Sequence, residues 1–139
     1  MSASIDLRSE GKTIDFETLL KLHALKTGAL IRCAAYLGAI SAGASPEQIS
    51  AADRYAERLG LAFQIADDVL DVTSTEAELG KPIGSDAENM KVTFLSFMSV
   101  EEASSFAERC AGEAAEFIGK YENSDILCAL AEYTAKRRK

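Results

Sequence analysis

The sequence predicts an all-α protein: a helical bundle forming a single domain over residues 1–139. Three observations carry that expectation. Alanine and leucine supply 37 residues against 13 valines and isoleucines. Small and straight-chain side chains lose little freedom in a helix, whereas β-branched ones suit a pleated sheet. Only two prolines interrupt the chain, and apolar residues recur at helical rather than alternating spacing.

The first 14 residues are polar and aperiodic, and read as a loop or tail. From Asp15, a suitable N-cap, the pattern Phe16, Leu19, Leu20, Leu22, Leu25, Leu30, Ile31, Ala34, Leu37 predicts a helix. Its apolar positions nearly encircle the segment, as in a helix buried inside a bundle. Gly38 and Gly43 mark where it weakens and stops. Ser45-Pro46-Glu47-Gln48 is a helix start, with a capping serine, proline at the first helical position and a glutamine completing a capping box. That helix should run to about Val72 through Ile49, Ala56, Leu59, Phe63, Ala66 and Leu70. Gly80, Pro82 and Gly84 make residues 74–91 one long loop. Ser99 and Glu102 form a second capping box, opening a helix from Val100 to about Tyr121. Ser124 opens the last, and Lys136-Arg137-Arg138-Lys139 forms a basic end. Two helices apolar on nearly every side imply self-association or a retained partner.

A net charge of −7 and a pI near 4.8 exclude a nucleic-acid partner, which needs a basic surface. A small phosphorylated ligand stays compatible, because a divalent metal inverts the local sign. Cys33, Cys110 and Cys128 are odd in number and far apart. They read as buried thiols in a reducing, cytoplasmic setting rather than a disulfide or zinc framework. No apolar run approaches the ~18 residues of a membrane span, so no membrane anchor is expected.

The chemistry concentrates in Gln64-Ile65-Ala66-Asp67-Asp68-Val69-Leu70-Asp71. Asp67 and Asp71 are four apart, Asp68 and Asp71 three apart, and Gln64 lies one turn earlier. The four polar side chains can therefore converge on one region of a helix surface. Like charges so placed cost roughly 0.2–0.5 kcal/mol per pair, and the helix C-terminus disfavours them further. No basic residue lies between Arg58 and Lys81 to relieve them. A divalent cation would, and Mg²⁺ is held by one or two carboxylates plus water and phosphate oxygens. The bland alternative is a solvated acidic face.

These residues carry a resemblance. Phe63-Gln64 followed by Asp67-Asp68-x-x-Asp71 resembles the second aspartate-rich motif of the trans-isoprenyl diphosphate synthases, bacterial farnesyl diphosphate synthases (geranyltranstransferases) above all. His23-x-x-Lys26-Thr27-Gly28 resembles the Lys-Thr-Gly helix of that family. Leu79-Gly80-Lys81-Pro82-x-Gly84-Ser85-Asp86 and Asn89-x-Lys91-x-Thr93-Phe94 resemble the loop after the aspartates. The likeness covers the chain from about Ile5 and departs at Met90 and Leu95, where the family favours glycine and proline.

The resemblance implies the C-terminal half of the isoprenoid synthase fold, in an enzyme that is a Mg²⁺-dependent prenyltransferase. Its substrates would be an allylic diphosphate and isopentenyl diphosphate, joined head to tail. Asp67, Asp68 and Asp71 would hold the metal, Asp67 most directly. Lys26, Lys81 and Lys91 would contact the diphosphate, Thr27 would shape the cation pocket, and Gln64 would lie beside the reacting carbons. The basic end, through Arg137 and Arg138, would approach the isopentenyl diphosphate site. His23 reads as a packed helix residue, and Gly28 as a site of close helix packing. Family members also carry a first aspartate-rich motif, expected in a half preceding residue 1. Alone, this chain is then expected to be inactive, and to pair as a homodimer or with that other half. The alternative is a non-catalytic helical partner or regulatory subunit of a prenyl synthase.

Overall fold

A computed structural model describes residues 14–74 and 92–137, and every regular element among them is helical. Helix α1 (Phe16–His23) passes through one π-helical turn (Ala24–Gly28) into α2 (Ala29–Ser41). Helix α3 (Pro46–Thr73) is the longest. A 3₁₀ turn (Phe94–Ser96) precedes α4 (Val100–Ile118), and α5 (Asp125–Lys136) closes the described chain.

Local chemistry explains the boundaries. Asp15 accepts the Thr18 N–H at 2.8 Å, satisfying one orphan donor at the start of α1. Both expected capping boxes form, Ser45 with Gln48 and Ser99 with Glu102, each side chain bonding the other residue's backbone N–H. Gly43, at φ 75°, supplies the left-handed conformation in which the chain leaves α2. Helix α4 stops at Ile118 rather than near Tyr121, with Gly119 as its C-cap. Ser124 precedes α5 without a side-chain cap; its hydroxyl donates to the Gly119 carbonyl at 3.4 Å instead.

Helix α3 is the spine, packed against α2, α4 and α5. Helix α4 presents Ala103, Ala107, Cys110, Ala111, Ala114 and Ile118 to the core, a stripe at three- and four-residue intervals. Alanines there let the helices approach closely. Phe94 in the 3₁₀ turn is fully buried. Its ring meets Phe16 edge-on at 6.0 Å, Phe106 edge-on at 6.4 Å, and stacks on His23 at 5.1 Å. His23 is thus a packed residue, as expected. Tyr55 of α3 donates its hydroxyl proton to the Leu127 carbonyl of α5 at 2.7 Å.

Two expectations are corrected. The first run was read as a helix buried all round, yet no residue of α2 is buried, and Leu30 and Leu37 are 72% and 57% exposed. Periodicity reports an apolar surface, not whether something covers it. The helix is held to α3 along one side only, where Arg32 grips Asp53 through two bonds of 2.8 and 2.9 Å. That pair holds the Asp53 carboxyl below its ordinary range. The three cysteines were read as buried, but Cys110 alone is; Cys33 is exposed and Cys128 half-buried.

The π turn carries Lys26, exposed, and Thr27, half-buried. Such widened turns are rare and gather at functional sites. Its last residue, Gly28, is buried against α3: a Cβ placed on Gly60 would lie 3.5 Å from the Gly28 Cα and 3.4 Å from Ile31 Cδ1. The two backbones meet here with no side chain between them. This is the close packing that the glycine implied.

Burial sets two measurable consequences. Ile65→Ala, at a fully buried site, should cost about 2–5 kcal/mol in urea denaturation, whereas Glu116→Gln, at an exposed one, should stay within about 0.5 kcal/mol. Burial also pushes the Cys110 thiol from 9.0 up to about 11 and the Tyr55 phenol from 10.0 up to about 12. Between each pair of values the unfolded chain has released a proton that the folded chain keeps. Stability is therefore unaffected below pH 9 and falls above it, by up to about 1.4 kcal/mol per pH unit for each group. Urea midpoints measured from pH 8 to 11 should show that decline, and Cys110→Ala should flatten its first part.

Candidate functional site

The aspartates occupy the last turns of α3, where helical geometry separates them. Asp67 is exposed, its side chain 61% accessible. Asp68 is 8% exposed, and its Oδ2 accepts the buried Phe94 N–H at 2.9 Å. Asp71, one turn beyond Asp67, is half-buried, as is Gln64 one turn before it. The expected convergence of all four on one surface is therefore only partial. Among the described residues, no three His, Cys, Asp or Glu side chains gather closely enough to hold a metal ion. Asp68 is drawn inward because it extends the buried stripe of Ala62, Ile65 and Ala66. That stripe was visible in the sequence, as Asp68 follows Ile65 by three.

The end of α5 reaches the same helix. The guanidinium of Arg137 stacks over the Phe63 ring at 4.4 Å. One Nη donates to the Phe63 carbonyl at 3.2 Å and to Asp67 Oδ1 at 3.4 Å. Phe63 and Asp67 are one turn apart, so a single planar cation spans both. Sequence reasoning placed Arg137 near a substrate site on resemblance alone; nothing in the sequence pairs it with Asp67.

Lys26 and Thr27 reach α3 through the Gly28–Gly60 contact. That crossing lies seven residues before Asp67, about 10 Å along the helix axis. Lys81 and Lys91 lie outside the described residues, as does Arg138. A cavity of about 710 Å³ opens beside α3, between Leu70, Thr73, Ser104, Glu108 and Arg137, but its lining includes none of Gln64, Asp67, Asp68 or Asp71. It flanks the aspartate helix rather than enclosing the motif.

The donor set suits a hard cation. Carboxylate oxygens without nitrogen or sulfur ligands select Mg²⁺ or a similar ion, with phosphate and water completing the shell. Asp67 presents its carboxylate to solvent. Asp68 has one oxygen committed to the buried Phe94 N–H.

That division of labour is testable. Asp68→Ala leaves a buried N–H without its acceptor and should cost about 1–3 kcal/mol in thermal or urea unfolding. Asp68→Asn, retaining an acceptor oxygen, should recover part of the loss. Asp67→Ala should change stability by no more than about 0.5 kcal/mol.

The same chain matches known proteins over nearly its full length. The polyprenyl synthetase family model matches residues 3–130. A geranylgeranyl diphosphate synthase of Cyanophora paradoxa is 47% identical over 135 residues, 96% of this chain and 45% of that protein. The farnesyl diphosphate synthase of Escherichia coli is 38% identical over 141 residues, 98% and 47% of the two chains. The crystal structure of a Helicobacter pylori geranyltransferase, complexed with magnesium and isoprenyl diphosphate, superposes with a TM-score of 0.73 at 25% identity, covering 96% of this chain and 44% of that one. The chain thus spans about half the length of the relatives it matches. With a family match over most of its residues and an all-helical fold, the chain belongs to the polyprenyl synthetase family.

Proposed function

We propose that this chain supplies the second aspartate-rich half of a Mg²⁺-dependent prenyltransferase that condenses isopentenyl diphosphate with an allylic diphosphate. The observation that carries the reading is Phe63-Gln64-x-x-Asp67-Asp68-x-x-Asp71 on one helix, with Asp67 open to solvent. Magnesium, when bound, would neutralise the charge that grows on the departing diphosphate. Asp67 would hold it most directly, with Asp68 and Asp71 acting partly through water. Lys26, Lys81 and Lys91 would bind diphosphate oxygens. Thr27 and Gln64 would turn oxygen dipoles toward the allylic cation without offering a base strong enough to quench it. The allylic C–O bond breaks with its electron pair leaving on diphosphate, the isopentenyl double bond attacks, and a proton is lost.

The apolar face of α2, with Leu30, Leu37 and Ile40 exposed, is read in the same frame. Either the other half of the synthase fold or a second copy would cover it, and a dimer is the expected assembly. No described helix is long and apolar enough to cross a membrane. Three unpaired thiols, one on the exposed helix α2, suit a reducing compartment such as the cytoplasm.

Three experiments test this reading. In the intact enzyme to which the chain belongs, Asp67→Ala should lower Mg²⁺-dependent condensation by about 10²–10³-fold or more with the fold preserved; near-normal turnover would refute the assignment. The 139-residue chain alone should form no prenyl product from radiolabelled isopentenyl diphosphate, since one wall of carboxylates leaves the diphosphate open to water. It should also self-associate at micromolar concentration in sedimentation, and Leu30→Lys with Leu37→Lys should disperse it.

A further inference from the structure

Arg137 is fixed with unusual care for a residue beside the chain's end. Its side chain is only 20% exposed, while its partner Asp67 is 61% exposed. The stack on Phe63 and the bond to the Phe63 carbonyl hold the guanidinium in place independently of any charge. Its Nε is enclosed. The remaining contact, to Asp67 Oδ1 at 3.4 Å, puts a fixed positive charge on the most accessible carboxylate of the motif. A divalent cation on the same carboxylate would sit within a few ångströms of that guanidinium and compete with it for the carboxylate's charge, a competition that solvent screens at so exposed a side chain.

We propose that Arg137 is a tethered counter-cation that competes with a divalent metal for Asp67, so that metal binding and loosening of the Arg137–Asp67 contact are one coupled event. The inference rests on the reading of Asp67 as a metal ligand. Linkage makes the coupling reciprocal: the contact that weakens metal binding is the contact that metal weakens. The Phe63 stack keeps the loosened side chain close to the motif, so the contact returns when the metal leaves.

Calorimetric titration of the full chain with Mg²⁺ alone, joined to NMR of the arginine Nε–H groups, tests the coupling. Arg137→Gln should bind Mg²⁺ about two- to fivefold more tightly, the range expected for losing one exposed competing pair. Lys136→Gln removes an equal charge one residue away and should leave the affinity unchanged. The Arg137 Nε–H resonance, identified by its loss in Arg137→Gln, should shift as Mg²⁺ is added while the Phe63 stack keeps it protected from exchange. Equal affinities for wild type and Arg137→Gln, or a resonance that Mg²⁺ does not move, would overturn the proposal while leaving the metal reading standing. Equal tightening by Lys136→Gln would also overturn it, as a general charge effect. Absence of Mg²⁺ binding in every variant would remove the metal reading and this proposal together.

Discussion

Consecutive residues on an α-helix point about 100° apart, so adjacent aspartates on one helix cannot share a face. The arrangement of this molecule follows from that constraint at Asp67 and Asp68. One carboxylate faces solvent and the other is carried into the core, where it accepts the Phe94 N–H. That bond fixes the 3₁₀ turn on α3, and the Phe94 ring then joins α1, through Phe16 and His23, to α4, through Phe106. A charged group that would be costly to bury alone thereby anchors the point where three helices meet.

The spine that carries these groups was legible in the sequence because its ends are set by local chemistry. Ser45-Pro46-Glu47-Gln48 and Ser99 with Glu102 each satisfy orphan backbone donors within four residues, so no tertiary information was needed to place them. The π turn at Ala24–Gly28 was not legible in the same way. It ends where Gly28 meets Gly60, two residues far apart in the chain, and a local pattern cannot report which glycines will touch. The exposure of α2 was hidden for a related reason. Leu30 and Leu37 declare an apolar face, but covering that face is a property of whatever packs there.

The site divides along the same line. Gln64, Asp67 and Asp71 were recognisable from spacing as one candidate set, and the structure places them on successive turns of α3. The inward turn of Asp68 was recoverable from the buried stripe of Ala62 and Ile65, though spacing between the acids alone points the other way. The engagement of Asp67 by Arg137 spans 70 positions, and no sequence rule links a basic chain end to one carboxylate rather than another. Charge pattern says only that such an end is attracted to acidic surface.

These placements resolve how the helix tolerates its acids. The C-terminal end of α3 carries the negative pole of the helix dipole, where three carboxylates are at their least favourable. The chain answers with protein groups rather than by dispersing the charge. A backbone N–H meets Asp68 from inside, and a guanidinium meets Asp67 from outside. The two answers differ in permanence. The N–H of Phe94 is enclosed, in a fully buried residue, so its bond lasts as long as the fold. The guanidinium is itself largely covered, but its partner carboxylate faces solvent, so water and salt reduce the strength of the pair. The motif thus holds one carboxylate for structure and keeps another within reach of exchange. That is the arrangement a helix needs if it must stay folded both with a cation and without one.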